Sequence, residues 1–166
     1  LVKGLDISPL VASLLVNRKI TTADEARFLI QSALAYLPDP FLMLGMQKAV
    51  DRIVRAIGAG DSITVFGDYD VDGVTAASFL VHFFRDLGIP FSYYLPSRLE
   101  EGYGLNVEAL RKIREGGSTL VITADCGITA VKEVKAAKEI GVDVIVTDHH
   151  QIAEEGLPDS VAVSVG

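Results

Sequence analysis

The feature that most restricts this chain is a change of period near residue 62. Beyond it, short runs of β-branched and aromatic residues alternate with stretches of helix length. The runs fall at 63–66, 91–95, 119–123, 142–147 and 161–163. Residues 74–87, 106–114 and 128–140 separate the first four, each long enough for a crossover helix and each with glycine near its end: Gly88, Gly116-Gly117 and Gly141. Repeated strand–helix units imply parallel pairing with both faces of the sheet covered. The expected fold is α/β, a twisted and mainly parallel sheet of about five strands with helices on both faces, preceded by a short helical leader.

The leader announces itself through helix starts. Ser8-Pro9 reads as a cap followed by proline at the first helical position, and Thr22 precedes the acids Asp24 and Glu25. After Leu37-Pro38-Asp39-Pro40, the residues Met46, Ala49, Val50, Ile53, Val54 and Ile57 recur at helical spacing. A leader over 1–60 that packs on a core over 61–166 is expected.

Composition narrows the class. In 166 residues, 49% hydrophobic content supports a substantial core, and a net charge of −7 argues against a surface that coats nucleic acid generally. The single cysteine, Cys126, excludes an internal disulfide and a multi-cysteine zinc site, which fits reducing surroundings. No apolar run approaches the roughly 18 residues that suggest a bilayer span. The start, Leu1-Val2-Lys3, lacks the order of a secretory signal. A cytoplasmic protein with no membrane association is expected. A first residue other than Met, and an apolar run still developing at Gly166, suggest a piece of something longer.

Ligands of open parallel sheets bind just beyond the carboxyl ends of the strands. Here those ends are acidic. The first run leads into Gly67-Asp68-Tyr69-Asp70-Val71-Asp72-Gly73, where alternation in an extended turn would put three carboxylates on one side. The third leads into Asp125-Cys126-Gly127 and the fourth into Asp148-His149-His150. Carboxylate and imidazole donors together suit Mn²⁺ or Zn²⁺, and a mainly carboxylate set also accepts Mg²⁺. The bland alternative makes Asp68, Asp70 and Asp72 turn formers and helix caps. Three acids within five residues repel one another, however, and a cation offsets that repulsion. The Asp-x-Asp-x-Asp-Gly string is not a calcium loop of the helix–loop–helix kind, because the position of the required bidentate glutamate holds Phe79. After the second run, Arg98 could pair with a phosphate while Gly102 and Gly104 shape a loop, although an Arg–Glu surface pair is an equal reading. Cys126 and His82 read as packing or surface residues.

Four ordered segments, 66–75, 96–105, 123–127 and 146–150, together resemble the DHH phosphoesterase superfamily, which takes its name from the triplet seen here as Asp148-His149-His150. Within it they are most similar to the RecJ group of single-strand DNA exonucleases, whose leader the segment around Leu37-Pro38-Asp39-Pro40 also resembles. The resemblance implies 5′-to-3′ removal of nucleotides from single-stranded DNA in repair and recombination, with Mn²⁺ or Mg²⁺ and two ions in the full-length enzyme. It makes Asp70, Asp72, Asp125 and His149 metal ligands and Asp68 a ligand or its supporter. Asp148 orients the site and His150 faces the scissile phosphate; Arg98, Gly102, Tyr103 and Gly104 contact substrate. A single-stranded-DNA-binding protein and a helicase are the implied partners.

The family pattern also has a further metal-binding Asp and an Asn-Pro pair that are not found before Gly166, so 61–166 is expected to be a DHH domain truncated at its C-terminal end. Two rival readings remain: a DHH-type phosphoesterase for short oligonucleotides or cyclic dinucleotides, and a non-catalytic module of the same fold. A dinucleotide-binding turn of the glycine-rich kind is disfavoured by the acidity of residues 67–73.

Overall fold

A computed structural model describes residues 1–31, 37–97, 99–152, 154, 156–160 and 163–164. Two compact units divide between Pro40 and Phe41. The first holds α1 (Val2–Leu5), α2 (Pro9–Asn17) and α3 (Ala23–Gln31). Ser8 caps α2 by accepting the Val11 N–H at 3.2 Å, with Pro9 in the first helical position. At the start of α3, Thr22 Oγ1 accepts the Glu25 N–H at 3.3 Å, and Glu25 Oε2 accepts the Thr22 N–H at 3.2 Å. This reciprocal box satisfies two amides that a helix start leaves without partners.

The second unit runs α4 (Met46–Ala59), β1 (Ile63–Gly67), α5 (Val71–Asp86), β2 (Phe91–Tyr94), α6 (Val107–Glu115), β3 (Leu120–Ala124), α7 (Val131–Glu139), β4 (Asp143–Thr147) and β5 (Val163–Ser164). The strands lie in the order β2-β1-β3-β4-β5, and every pair is parallel. Among the described residues, β5 pairs Val146↔Val163 and Thr147↔Ser164 at one edge. The α/β sheet implied by the strand–helix alternation is therefore present, with the fifth strand at its edge. Residues 161 and 162, where that strand was expected to begin, lie outside the described residues.

Strand residues alternate between two apolar layers, as the period of two requires. Phe66, Val121, Val144 and Val146 pack with Ala109, Leu110 and Ile113 of α6 and Val134 and Ala137 of α7. Ile63, Val65, Leu120, Ile122, Ala124 and Ile145 pack with Ala49 and Ala56 of α4 and Ala77 and Phe84 of α5. The central strands β1 and β3 are buried along their whole length, as sandwiched parallel strands must be. Arg52 fastens α4 to the far end of the sheet from the acidic turns: Nε donates to Asp143 Oδ2 at 2.6 Å, and both terminal nitrogens reach Asp61 Oδ2 at 3.3 Å.

Two helix starts differ from the sequence reading. α5 begins at Val71 rather than 74, because Asp70 is its cap and accepts the Gly73 N–H at 2.9 Å. α7 begins at Val131 rather than 128, because Gly127 at φ 107° first forms a turn closed by the Ala130 N–H on the Gly127 carbonyl.

Candidate metal centre

The strand order reverses between β1 and β3: β2 is laid on one side of β1, and β3 on the other. Helices leave the sheet on opposite faces at such a point and open a crevice beyond the strand ends. The exits of β1, β3 and β4 carry Asp68, Asp125 and Asp148, all three buried.

Asp68 follows β1 with its N–H on the Ala124 carbonyl at 3.3 Å, and its Oδ1 is buried without a hydrogen-bond partner. Gly73 makes this burial possible. A Cβ there would stand 2.7 Å from the Asp68 nitrogen and Cβ, so the first turn of α5 could not close over Asp68 with any other residue. The three acids do not share one side of an extended turn, as the alternation had suggested. The early helix start separates them: Asp68 is buried at the strand exit, Asp70 caps, and Asp72 is exposed in the first helical turn.

Asp125 adopts the left-handed region at φ 65°, which costs a non-glycine residue energy and persists where surrounding contacts impose it. Its N–H donates to the Thr147 carbonyl at 3.0 Å. Its Oδ1 lies 2.9 Å from His149 Nε2, yet off the directions a hydrogen bond needs, and so is buried without a donor. Burial holds the Asp125 carboxyl above the usual carboxylate range; His149 opposes the rise, and Asp70 adds to it.

Asp148 is the opposite case. Oδ2 accepts the Ile128 N–H at 2.9 Å, and Oδ1 accepts the His150 N–H at 3.1 Å and faces His150 Nδ1 at 2.7 Å. Burial alone would raise its pKa, but these donors outweigh it and hold the carboxyl below the usual range. A carboxylate can only accept, so Nδ1 of His150 carries a proton, and Nε2 is the atom left for a ligand. The same bond to Asp148 raises the His150 pKa, opposed by burial and aided by Asp125 and Asp70.

Asp125, His149 and His150 bring donor atoms within 4.8 Å of one another. Asp68, Asp70 and Asp72 stand outside that group, although the charge of Asp70 acts on both Asp125 and His150. Asp72, Asp125, Asp148 and His149 line a common open cleft with Thr75 and Phe79. A divalent cation fits this set: mixed oxygen and nitrogen donors converge, and two buried carboxylate oxygens, on Asp68 and Asp125, lack any hydrogen bond.

Of the loop after β2, Arg98 lies outside the described residues. Gly102 and Gly104 take φ of 80° and 75°, and between them Tyr103 sets its ring edge-on to His150 at 6.2 Å and to Tyr69 at 6.3 Å. Burial, then the charges of Asp148 and Asp68, pushes the Tyr103 phenol up to about 12. Glu101 ties the loop down by accepting the Tyr94 O–H at 2.6 Å and the Ser97 N–H at 3.2 Å. Tyr94 in turn stacks on Phe66, with ring centroids 5.5 Å apart. Sequence reasoning did not assign Tyr69 or Tyr94, and their aromatic character beside the motifs was the one signal available.

The crevice, its acidic strand exits and its imidazole pair define a DHH domain, and the chain belongs to that family: the DHH family N-terminal domain matches residues 62–165. Within it, the sequence is similar to the single-stranded-DNA-specific exonuclease RecJ of Bacillus subtilis (strain 168), 49% identical over 163 residues that cover 98% of this chain and 21% of that protein. The structure is similar to RecJ of Thermus thermophilus in complex with Mn²⁺, with a TM-score of 0.71 at 30% identity over 99% of this chain and 22% of that one. A crystal structure of exonuclease RecJ bound to manganese gives a TM-score of 0.69 at 38% identity, covering 80% of this chain and 33% of that one. The chain spans about a fifth of the length of the Bacillus relative.

Proposed function

We propose that this chain supplies the metal-binding part of a phosphodiester hydrolase that removes nucleotides from single-stranded DNA in the 5′-to-3′ direction, with Mn²⁺ as the ion and Mg²⁺ as a substitute. The observation that carries the reading is the pair of buried carboxylate oxygens without donors, on Asp68 and Asp125, beside the His149 and His150 nitrogens. Such oxygens are costly to bury unless a cation completes them.

Asp125 and His149 are the ligands, joined by Asp70 and Asp72 from the start of α5 and by Asp68 as ligand or supporter. A bound divalent ion supplies an activated water and offsets charge on the phosphate oxygens. Asp148 fixes the tautomer and orientation of His150, so that Nε2 meets the scissile phosphate. Tyr103, carried between Gly102 and Gly104, borders the strand path, with Arg98 as a phosphate contact in the same loop. No protein nucleophile is required. Among the described residues no helix is long and apolar enough to cross a membrane, and a cytoplasmic site of action beside a single-stranded-DNA-binding protein and a helicase fits the reading.

Calorimetry of Mn²⁺ binding to this chain and to its Asp70→Ala and His149→Ala variants tests the metal reading; binding should be lost in both. A chimera in which this chain replaces the matching segment of the Bacillus subtilis exonuclease tests the activity. It should degrade 5′-phosphorylated single strands, and the Asp70→Ala chimera should not. Mn²⁺ binding without degradation in the chimera would favour the non-catalytic module, and preference for dinucleotides the short-oligonucleotide reading.

A further inference from the structure

The regular pairing of β3 with β4 ends at Ile122↔Ile145, three residues before Asp125 and four before His149. Beyond that point the two exits are joined by threonine hydroxyls. Thr123, fully buried, donates its O–H to the Cys126 carbonyl at 2.6 Å and accepts the Thr147 N–H at 3.2 Å. Thr147 returns a hydrogen bond from its own hydroxyl to the Thr123 carbonyl. An amide nitrogen can only donate, so the Thr123 proton is committed to Cys126, and the hydroxyl is polarised in one direction.

We infer that Thr123 is a positioning residue for the metal centre: its hydroxyl sets the spacing between the turn that presents Asp125 and the strand exit that presents His149 and His150. Cys126 follows Asp125, and Thr147 precedes Asp148, so one side chain grips the backbone next to both groups of donors. The neighbouring geometry is built around it. Gly127 at φ 107° would put a Cβ 3.2 Å from Thr123 Oγ1, so the turn passes closely over the hydroxyl. Asp125 is held left-handed within the same turn. Two further bonds cross the gap, Asp125 N–H to the Thr147 carbonyl and Ile128 N–H to Asp148, but neither comes from a side chain of β3. The β-branched Thr123 is stiff about its first torsion, so the bridge does not slacken as a longer polar side chain would.

This rests on the metal reading above. The test uses Thr123→Val, which keeps the shape and deletes the hydroxyl, and Thr123→Ser, which keeps the hydroxyl. For each folded variant, judged by circular dichroism and a cooperative melt, Mn²⁺ affinity is measured by calorimetry and the bound ion's surroundings by electron paramagnetic resonance. Thr123→Val should bind Mn²⁺ about 10–100-fold more weakly, the range found when partners that orient ligands are removed. The bound-ion spectrum should change, and Thr123→Ser should restore both affinity and spectrum. Should Thr123→Val not fold, Thr123→Ala, which deletes the hydroxyl without setting a methyl group against the Cys126 carbonyl and the Thr147 N–H, takes its place and is expected to weaken binding with a changed spectrum. Wild-type affinity and spectrum in the folded valine variant would reduce the threonines to strand fasteners and overturn the inference alone. Absence of Mn²⁺ binding in the unsubstituted chain would overturn the metal reading and this inference with it.

Discussion

Asp148 Oδ1 stands 2.7 Å from Nδ1 of His150 and also accepts that residue's backbone N–H, so one carboxylate oxygen holds both the ring and the backbone of the same histidine. Its other oxygen reaches across to Ile128 on the adjacent turn.

The ring bond raises the His150 pKa in the metal-free protein. A group whose folded pKa is raised adds stability that is complete below its unfolded value, about 6.5, and is lost as pH rises through the folded value. Asp148→Asn removes the charge. Proton titration of the His150 ring by NMR should then move to lower pH, and the stability the wild type gains on acidification from neutral pH should shrink. An unchanged titration would contradict the assigned bond.

Gly73→Ala would drive a methyl group to 2.7 Å from the Asp68 backbone and side chain. Backbone cannot yield as a flexible side chain does, so the expected cost is about 1–3 kcal/mol, the range for overpacking. Urea denaturation measures it. Mn²⁺ affinity should fall in the same variant, because the first turn of α5 carries Asp72 and follows Asp70.

Arg52 is nearly buried and bridges Asp61 and Asp143 at the far end of the sheet from the metal centre. Asp61 and Asp143 are 31% and 46% exposed and regain water when the guanidinium is removed, so Arg52→Ala should destabilise by about 1 kcal/mol, with Mn²⁺ affinity in the folded protein unchanged. A matching loss of affinity would mean that the two ends of the sheet are coupled.

Glu101 is held below the usual carboxylate range, first by the Tyr94 hydroxyl, against the effect of burial. A depressed folded pKa adds stability that is present above the unfolded value, about 4.3, and is lost as pH falls through the folded value. The protection of the Ser97 amide, its exchange rate relative to the unstructured rate at the same pH, should therefore fall in acid before the sheet opens, and Tyr94→Phe should lower it already at neutral pH. Equal protection in Tyr94→Phe would show that the loop is held by other contacts.

Local signals were legible where a single residue decides the backbone. Ser8-Pro9 and Asn106 start α2 and α6 as their chemistry requires, and the apolar runs of β1 and β3 follow from strands buried on both faces. The acidic string after β1 was legible as a cluster but not as geometry, because Asp-x-Asp-x-Asp is compatible both with an extended turn and with a capped helix. The contact between Gly73 and Asp68 admits only the second.

The alternation of strands and helices and the acidic character of three strand ends were set by the sequence alone, since periodicity and residue type act over a few neighbours. The strand order that opens a crevice between β1 and β3 came from the tertiary structure. So did the 2.9 Å approach of His149 to Asp125, the Tyr94–Glu101 tie and the bridge from Thr123 to Thr147. Asp125 and His149 follow different strands, with the whole of α7 between them in sequence. Their meeting depends on how those two strands are registered by backbone bonds and by the packing of α7. No local propensity encodes that register; it is decided only when both faces of the sheet are covered.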